Sequence, residues 1–276
     1  MCFSSGPEEA TPAPRPSQRP SQFKRRGQDI PLQRLAITGP VTPPGQIPAP
    51  ERDAAGLWVQ YEARDLDRSS LLAALAYVAE YLDKHGEDIT LVAVGGAVNT
   101  ILLRSRMTTY DVDFFCHVLS GSRLRLIREA GQYAVQRSAV PMSTDWLNNA
   151  TARMPGVVEN VEHLVDAALA QREILFQRKG LTVAAAPWNY AFIKKISRIT
   201  QGTARTYDAS DAVAYLHRHI TRHGGQPVPF ETMQEWGSKY KALSPVEILR
   251  EIDDLYRRTY GRSAILFDQG GRRRGH

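Results

Sequence analysis

Residues 91–115 read LVAVGGAVNTILLRSRMTTYDVDFF, and the alternation of elements in this stretch decides the fold. Ile89–Val94 is a short apolar run of strand type. Gly95-Gly96 breaks it, and AVNTILLRSR then reads as a brief helix. Tyr110–Cys116 returns to strand character. Strand side chains alternate between faces, so Asp111 and Asp113 project the same way, about 7 Å apart. Val112, Phe114 and Phe115 are the apolar residues that hold this strand in a core.

Outward from this stretch, helices dominate. Ser69 and Ser70 are candidate caps for a helix whose Leu72, Leu75, Ala76, Ala79 and Leu82 repeat at helical spacing, with Gly86 as its stop. Another helix is expected around Leu124–Arg137. Between 140 and 170, Ser143–Asn149 and Val161–Ala170 read as helices around a loop at Met154-Pro155-Gly156. Ile174–Gln177 and Leu181–Ala186 form an expected hairpin turning at Lys179-Gly180. Pro187 opens a helix to about Thr200, another runs from Asp208 to His219, and two more fit 230–242 and 245–260, the last with Pro245 in its first turn. Strands come first and helices last, which predicts an α+β fold: a small mixed sheet with a helical C-terminal half.

Composition bounds the rest. Eleven of the seventeen prolines lie in residues 1–50, so residues 1–56 read as a flexible Pro-rich leader that neither pairs into sheets nor winds into helices. The folded part divides into an α/β domain at 57–186 and a helical region at 187–267, followed by a basic tail at 268–276. The net charge of +6 gathers at the two ends. Solvated tails are the plain reading, and contact with nucleic acid is the functional one. Two cysteines, Cys2 and Cys116, exclude a disulfide framework and a Cys-rich zinc site. The N-terminus lacks a basic start followed by an apolar stretch, and no window reaches the ~18 apolar residues of a membrane span, so an intracellular, cytoplasmic protein without membrane partners is expected.

Two neighbouring carboxylates suit Mg²⁺ (or Mn²⁺), which binds through one or two carboxylates plus substrate phosphates. A lone Asp-x-Asp is also what a solvated strand end looks like. The Gly-Gly turn upstream changes the balance, because glycines between strand and helix let backbone N–H groups approach phosphate oxygens beside a helix N-terminus. Together the two elements read as a phosphate cradle facing a metal site.

In this respect the segment resembles the signature of the nucleotidyltransferase superfamily with the DNA polymerase β-like fold. The order Gly-Gly, short helix, Arg-x-Thr, Asp-x-Asp is most similar to the abortive-infection toxin nucleotidyltransferases, the AbiEii-like family. WNYAFIKKISRITQGTARTYDASDAVAYL (188–216) is similar to that family's later motif, a helical lysine followed by an Arg/Asp-x-x-Asp element. The resemblance spans roughly 89–220. It implies a nucleotidyltransferase-like sheet, with Gly95 and Gly96 cradling a triphosphate and Asp111 and Asp113 holding Mg²⁺. It further implies Lys195 (rather than Lys194) on phosphate, Asp208 and Asp211 at the distal acidic positions, and Arg106 steadying the acidic strand or reaching a phosphate. The implied activity moves a nucleoside monophosphate from an NTP to a protein hydroxyl, a small molecule or an RNA end.

One departure stands out. Many active members place a third carboxylate on a later strand, and REILFQRKGLTVAAAP (172–187) has no aspartate; Glu173 precedes the strand, and Asp208 or Asp211 is the other candidate. A catalytically degenerate nucleotide-binding or interaction protein on the same fold is therefore the alternative, and a glycosyltransferase holding a nucleotide-sugar through Asp-x-Asp is a third reading. From the residues alone, Lys195 and Arg198 share a helix face, and Asp208 is a candidate N-cap. His217, His219 and His223 are expected at the surface, Cys116 as a buried thiol, and Trp188 and Tyr190 in packing rather than stacked on a base.

Overall fold

The computed structural model describes residues 65–267 and, before them, the backbone of β1 (Gln46–Arg52) and β2 (Trp58–Glu62), which pair antiparallel. The end of the Pro-rich leader thus enters a ribbon, contrary to the expectation. The pairing is irregular between Pro48 and Arg52, the stretch that holds Pro48 and Pro50, and proline within a sheet is confined to edges and bulges. Residues 1–45 and the expected basic tail at 268–276 lie outside the described residues.

From there the chain runs β3 (Leu66–Asp67), α1 (Arg68–Lys84), β4 (Ile89–Val94), α2 (Gly96–Val98) with a π-turn over Asn99–Leu103, β5 (Thr108–Thr109), β6 (Val112–Phe115), α3 (Gly121–Arg137), β7 (Leu147–Asn148) and α4 (Val161–Gln171). It continues β8 (Ile174–Arg178), β9 (Leu181–Ala185), α5 (Trp188–Thr200), α6 (Asp208–Arg222), β10 (Val228–Pro229), α7 (Phe230–Lys239), α8 (Val246–Tyr260) and β11 (Ile265–Leu266). The fold is α+β, with a mixed sheet followed by a helical C-terminal half.

Five strands form that sheet in the order β7-β6-β4-β9-β8. β4 runs antiparallel to β6 and parallel to β9, β6 is parallel to β7, and β8 closes the hairpin with β9. Gly180 has φ +90° at the hairpin turn, where a Cβ would meet the Ala79 carbonyl of α1 at 2.5 Å. Packing here therefore requires glycine as firmly as the turn does.

Helices cover both faces. On one, Leu124, Ile127 and Gly131 of α3 face Phe114 across a cleft of about 920 Å³, and α1 packs on α3, β8 and β9. On the other, Phe115 meets Tyr190 of α5 edge-on, ring centroids 5.9 Å apart. Trp188, Phe192, Ile193 and Ile196 of α5 are buried in the single core that links the sheet to the C-terminal helices. Full burial of each such side chain contributes about 1.5–3 kcal/mol. Trp188 and Tyr190 are packing residues, as their sequence context suggested.

Two local expectations are corrected. The α1 cap is Asp67, whose carboxylate accepts from Ser70 N at 2.7 Å, in place of Ser69 or Ser70. The segment 143–149 is not a helix: Trp146 is buried with its Nε1 donating to the Gly131 carbonyl at 3.0 Å, and Leu147–Asn148 pairs with β6. Among the described residues no helix is long and apolar enough to cross a membrane.

Candidate functional site

The register of β4 and β6 brings the two sequence motifs together. Val94 pairs with Asp113, so the acidic strand lies beside the residue that leads into Gly95-Gly96. The two glycines are needed for different reasons. Gly95 has φ +64° with open space where a Cβ would project, so its backbone conformation selects glycine and leaves one side free. Gly96 is in close contact, since a Cβ there would stand 2.1 Å from Thr109 Oγ1. The threonine just ahead of the acidic strand thus packs directly on the turn. α2 is only Gly96–Val98 before the π-turn, too short to supply the expected helix dipole, which sums over aligned peptides.

Asp111 and Asp113 lie on the same side, both half-buried, and both are touched by the Asn148 side chain from β7. Burial pushes the Asp111 carboxyl up to about 6, with the Asp113 charge adding to the effect, while Arg205 and the Asn148 hydrogen bond oppose it. Burial also raises Asp113, against Asn148, Arg205 and Arg198. This is the behaviour of two like charges sharing a partly desolvated site. Oxygen donors of this kind fit a hard divalent cation, with waters and ligand oxygens completing the shell.

No third acid closes the pair: among the described residues no three His, Cys, Asp or Glu side chains converge as a metal site. Glu173 is taken up by Arg222, Oε1 to Nη1 3.1 Å. Asp208 and Asp211 are committed elsewhere. Lys195 on α5 is 6% exposed, and its Nζ lies 2.5 Å from Asp208 Oδ1 and 2.8 Å from Asp211 Oδ2 on α6. Burial alone would raise Asp208, but the Lys195 ammonium, the Arg205 N–H and the Arg198 charge outweigh it and hold its carboxyl below the usual aspartate value. Asp208 is not the expected N-cap: that position is Tyr207, which makes no side-chain cap bond, and Asp208, the first residue of α6, accepts at Oδ2 from Arg205 N in the segment before the helix.

Arg106 belongs to this network and not to the acidic strand. Its Nη2 donates to Asp211 Oδ2, and its guanidinium stacks 3.4 Å above the Tyr207 ring. Lys195 and Arg106 thus neutralise Asp208 and Asp211 as a buried quartet, the hydrogen-bonded form in which buried charge is tolerated. Lys194 points away and donates to the Pro155 carbonyl at 3.2 Å. The network also reaches the glycine turn, since Tyr215 of α6 donates to the Gly95 carbonyl at 3.4 Å.

Besides Arg198, which the sequence places on the Lys195 face of its helix, the surroundings of the site include Asn148, Tyr207 and Arg205. Asn148 carries no local signal, because only its pairing with Asp113 places it. Arg205 stands three residues before Asp208, which was the available clue.

The remaining candidates serve packing. His217 stacks on Tyr260 at 3.8 Å and bonds Tyr256 Oη, while His219 packs on Trp236. These two are half-buried against α8 and α7 rather than free at the surface; His223 is exposed. Cys116 is half-buried, and burial pushes its thiol up to about 11.

Fold and site together define a class: an α+β domain whose mixed sheet presents an aspartate pair toward an ion-paired helical half. The chain belongs to the family described as Domain of unknown function (DUF7582), whose model matches residues 64–263. No curated protein and no solved structure matches the chain.

Proposed function

We propose that this domain is a Mg²⁺-dependent nucleotidyltransferase that moves a nucleoside monophosphate from an NTP to an acceptor hydroxyl. The observation that carries the reading is the β4–β6 register, which sets Asp113 opposite Val94 and so beside the Gly95-Gly96 turn. Asp111 and Asp113 would hold the divalent cation (Mg²⁺, or Mn²⁺), and the open side of Gly95 leaves its backbone accessible to a phosphate oxygen. A cation bound there supplies charge neutralisation at the phosphates during transfer. The chain contributes placement: β7 pairs Asn148 with Asp113, Thr109 packs the turn, and the Lys195 network ties α5 to α6. The resemblance in the two motifs, 91–115 and 188–216, points to the same chemistry.

A second reading, a nucleotide-binding or interaction protein without turnover, is favoured by one observation. Among the described residues no third acid joins Asp111 and Asp113 to act as general base. Calorimetric titration of the four NTPs with Mg²⁺ into wild type and Asp111→Ala/Asp113→Ala, followed by transfer of α-labelled nucleotide, separates the two. Metal-dependent binding lost in the variant, with label transfer, supports the enzyme. Binding without transfer supports the second reading, and absence of binding by the wild type overturns both.

A further inference from the structure

The cleft of about 920 Å³ beside α3 has a lining that packing does not explain. Its floor is Phe114 of β6, whose neighbours Asp113 and Phe115 project to the other face of the sheet. One wall is α3, where Leu124, Ile127, Arg128 and Gly131 recur at helical spacing. The facing wall is the segment 144–153, which carries the edge strand β7 and a 3₁₀ turn over Ala150–Arg153. A concavity of this size is that of a small-molecule site.

The polar side chains on that lining lack protein partners. On α3, Arg123 is held by Glu87, and Arg137 lies over the Tyr133 ring. Arg128, exposed on the same helix, makes no ion pair, hydrogen bond or aromatic contact among the described residues, and neither does Arg153 on the facing wall. Asp145 is the one carboxylate on the lining, and it bonds neither arginine. The side-chain amides of Gln132 and Asn149 are likewise without a partner among the described residues. Beneath them Phe114 and Ile127 are buried, and Leu124 and Leu147 pack against the core. An apolar floor under a rim of unpaired donors is the arrangement of a ligand site.

We propose that this cleft is a second binding site, separate from the aspartate pair, for a small organic phosphate. The apolar body of the ligand lies against Phe114, Ile127 and Leu147, and its phosphate monoester meets the guanidinium groups of Arg128 and Arg153. Charge decides the class. Two arginines against one aspartate leave the lining net positive, which selects an anion. Among anions, a phosphate monoester carries close to two negative charges and several acceptor oxygens, where a carboxylate carries one charge. Guanidinium donors match two such oxygens at once. The site does not depend on the nucleotide reading, since it uses neither Asp111, Asp113 nor the Gly95-Gly96 turn.

The test uses the full chain and three probes, phenyl phosphate, inorganic phosphate and phenol, titrated with chelator present so that no cation on the aspartates takes part. Phenyl phosphate should bind the wild type, and the other two, each lacking half of the ligand, should bind at least roughly tenfold more weakly. Arg128→Ala and Arg153→Ala should each lose roughly tenfold in phenyl phosphate affinity, the scale of one charge-assisted hydrogen bond. Both side chains are exposed and unpaired, so the thermal midpoints of these variants should match wild type. Asp111→Ala/Asp113→Ala should bind phenyl phosphate as the wild type does, and amide shifts on binding should centre on Leu147–Ala150 and Gly131. Absence of phenyl phosphate binding by the wild type would overturn the proposal, as would equal affinity for phenol or inorganic phosphate. Full affinity in either arginine variant would remove the assigned anion contact. Loss of binding in the aspartate variant would show that the phosphate sits at the other site.

Discussion

Asp111→Asn is expected to stabilise the ligand-free protein at neutral pH and to leave it unchanged in acid. Burial and the neighbouring Asp113 push the Asp111 carboxyl up to about 6, whereas an aspartate in an unfolded chain titrates near ~3.9. Between those values the native state keeps a proton that the unfolded chain has lost. Stability at this position is therefore greatest below about pH 4, falls as pH rises to about 6, and stays low above it. At about 1.4 kcal/mol per pKa unit, the ionised side chain costs the fold about 2–3 kcal/mol above pH 7. Asparagine keeps the shape and never ionises, so the variant should recover most of this. For a domain of this size that is about 5–10 °C in Tm.

The assay is urea or thermal unfolding of both proteins with chelator present, at pH 4, 5, 6 and 7.5. The quantity read is the difference between them, in which the carboxylates remote from Asp111 cancel. It should be near zero at pH 4, grow between pH 4 and 6, and level off by pH 7. Adding millimolar Mg²⁺ at pH 7.5 should then stabilise only the wild type, since a ligand raises stability in proportion to its binding to the native state. A difference that does not change with pH, or a variant less stable than wild type at pH 7.5, would refute the account of Asp111 as a strained, desolvated acid.

Lys195→Met is expected to go the other way, removing a cation from between two buried carboxylates at a cost of about 3–5 kcal/mol; a urea midpoint close to wild type would contradict a sealed network. Gly96→Ala should destabilise by about 1–3 kcal/mol through overpacking, because its Cβ would meet Thr109 Oγ1 at 2.1 Å and Cβ at 2.9 Å. A double-mutant cycle with Thr109→Ala should show partial rescue, and strict additivity would exclude that contact. Asp253, 2% exposed, accepts from Ser263 Oγ at 2.5 Å, Ala264 N at 2.6 Å and Ile265 N at 3.0 Å. Asp253→Ala should cost about 2–4 kcal/mol by leaving those donors unpaired, with amide exchange at Ala264 and Ile265 accelerating first.

Legibility in the sequence follows the range of the interaction that makes each element. β4, β6 and the β8–β9 hairpin were readable because apolar runs and glycine turns are local signals. β7 was not, since a two-residue strand exists only through its ladder to β6 and the buried Trp146 that anchors it. The same holds at the site. Lys195, Asp208 and Asp211 could be picked out as residue types at the right spacing, but whether the ammonium meets a ligand or two carboxylates depends on how α5 crosses α6. Arg106 was placed near its true neighbours in sequence and far from its true partner, Asp211, which lies over a hundred positions along the chain.

The contrast among the acids argues for where chemistry can occur. Asp208 is held below its ordinary pKa by partners that already satisfy it, so a ligand could only take interactions away. Asp111 and Asp113 are raised, because the fold keeps two carboxylates together in a partly buried site that penalises their charge. Structural ion pairs and functional sites both perturb titration, and the sign separates them here: a destabilised pair gains from a bound cation what a satisfied pair cannot. The 2–3 kcal/mol (roughly) spent on ionised Asp111 above pH 7 is then free energy that ligand binding can recover. On that reasoning the Asp111–Asp113 edge of β6 is where a ligand should be sought, with the Lys195 quartet as the framework that holds it.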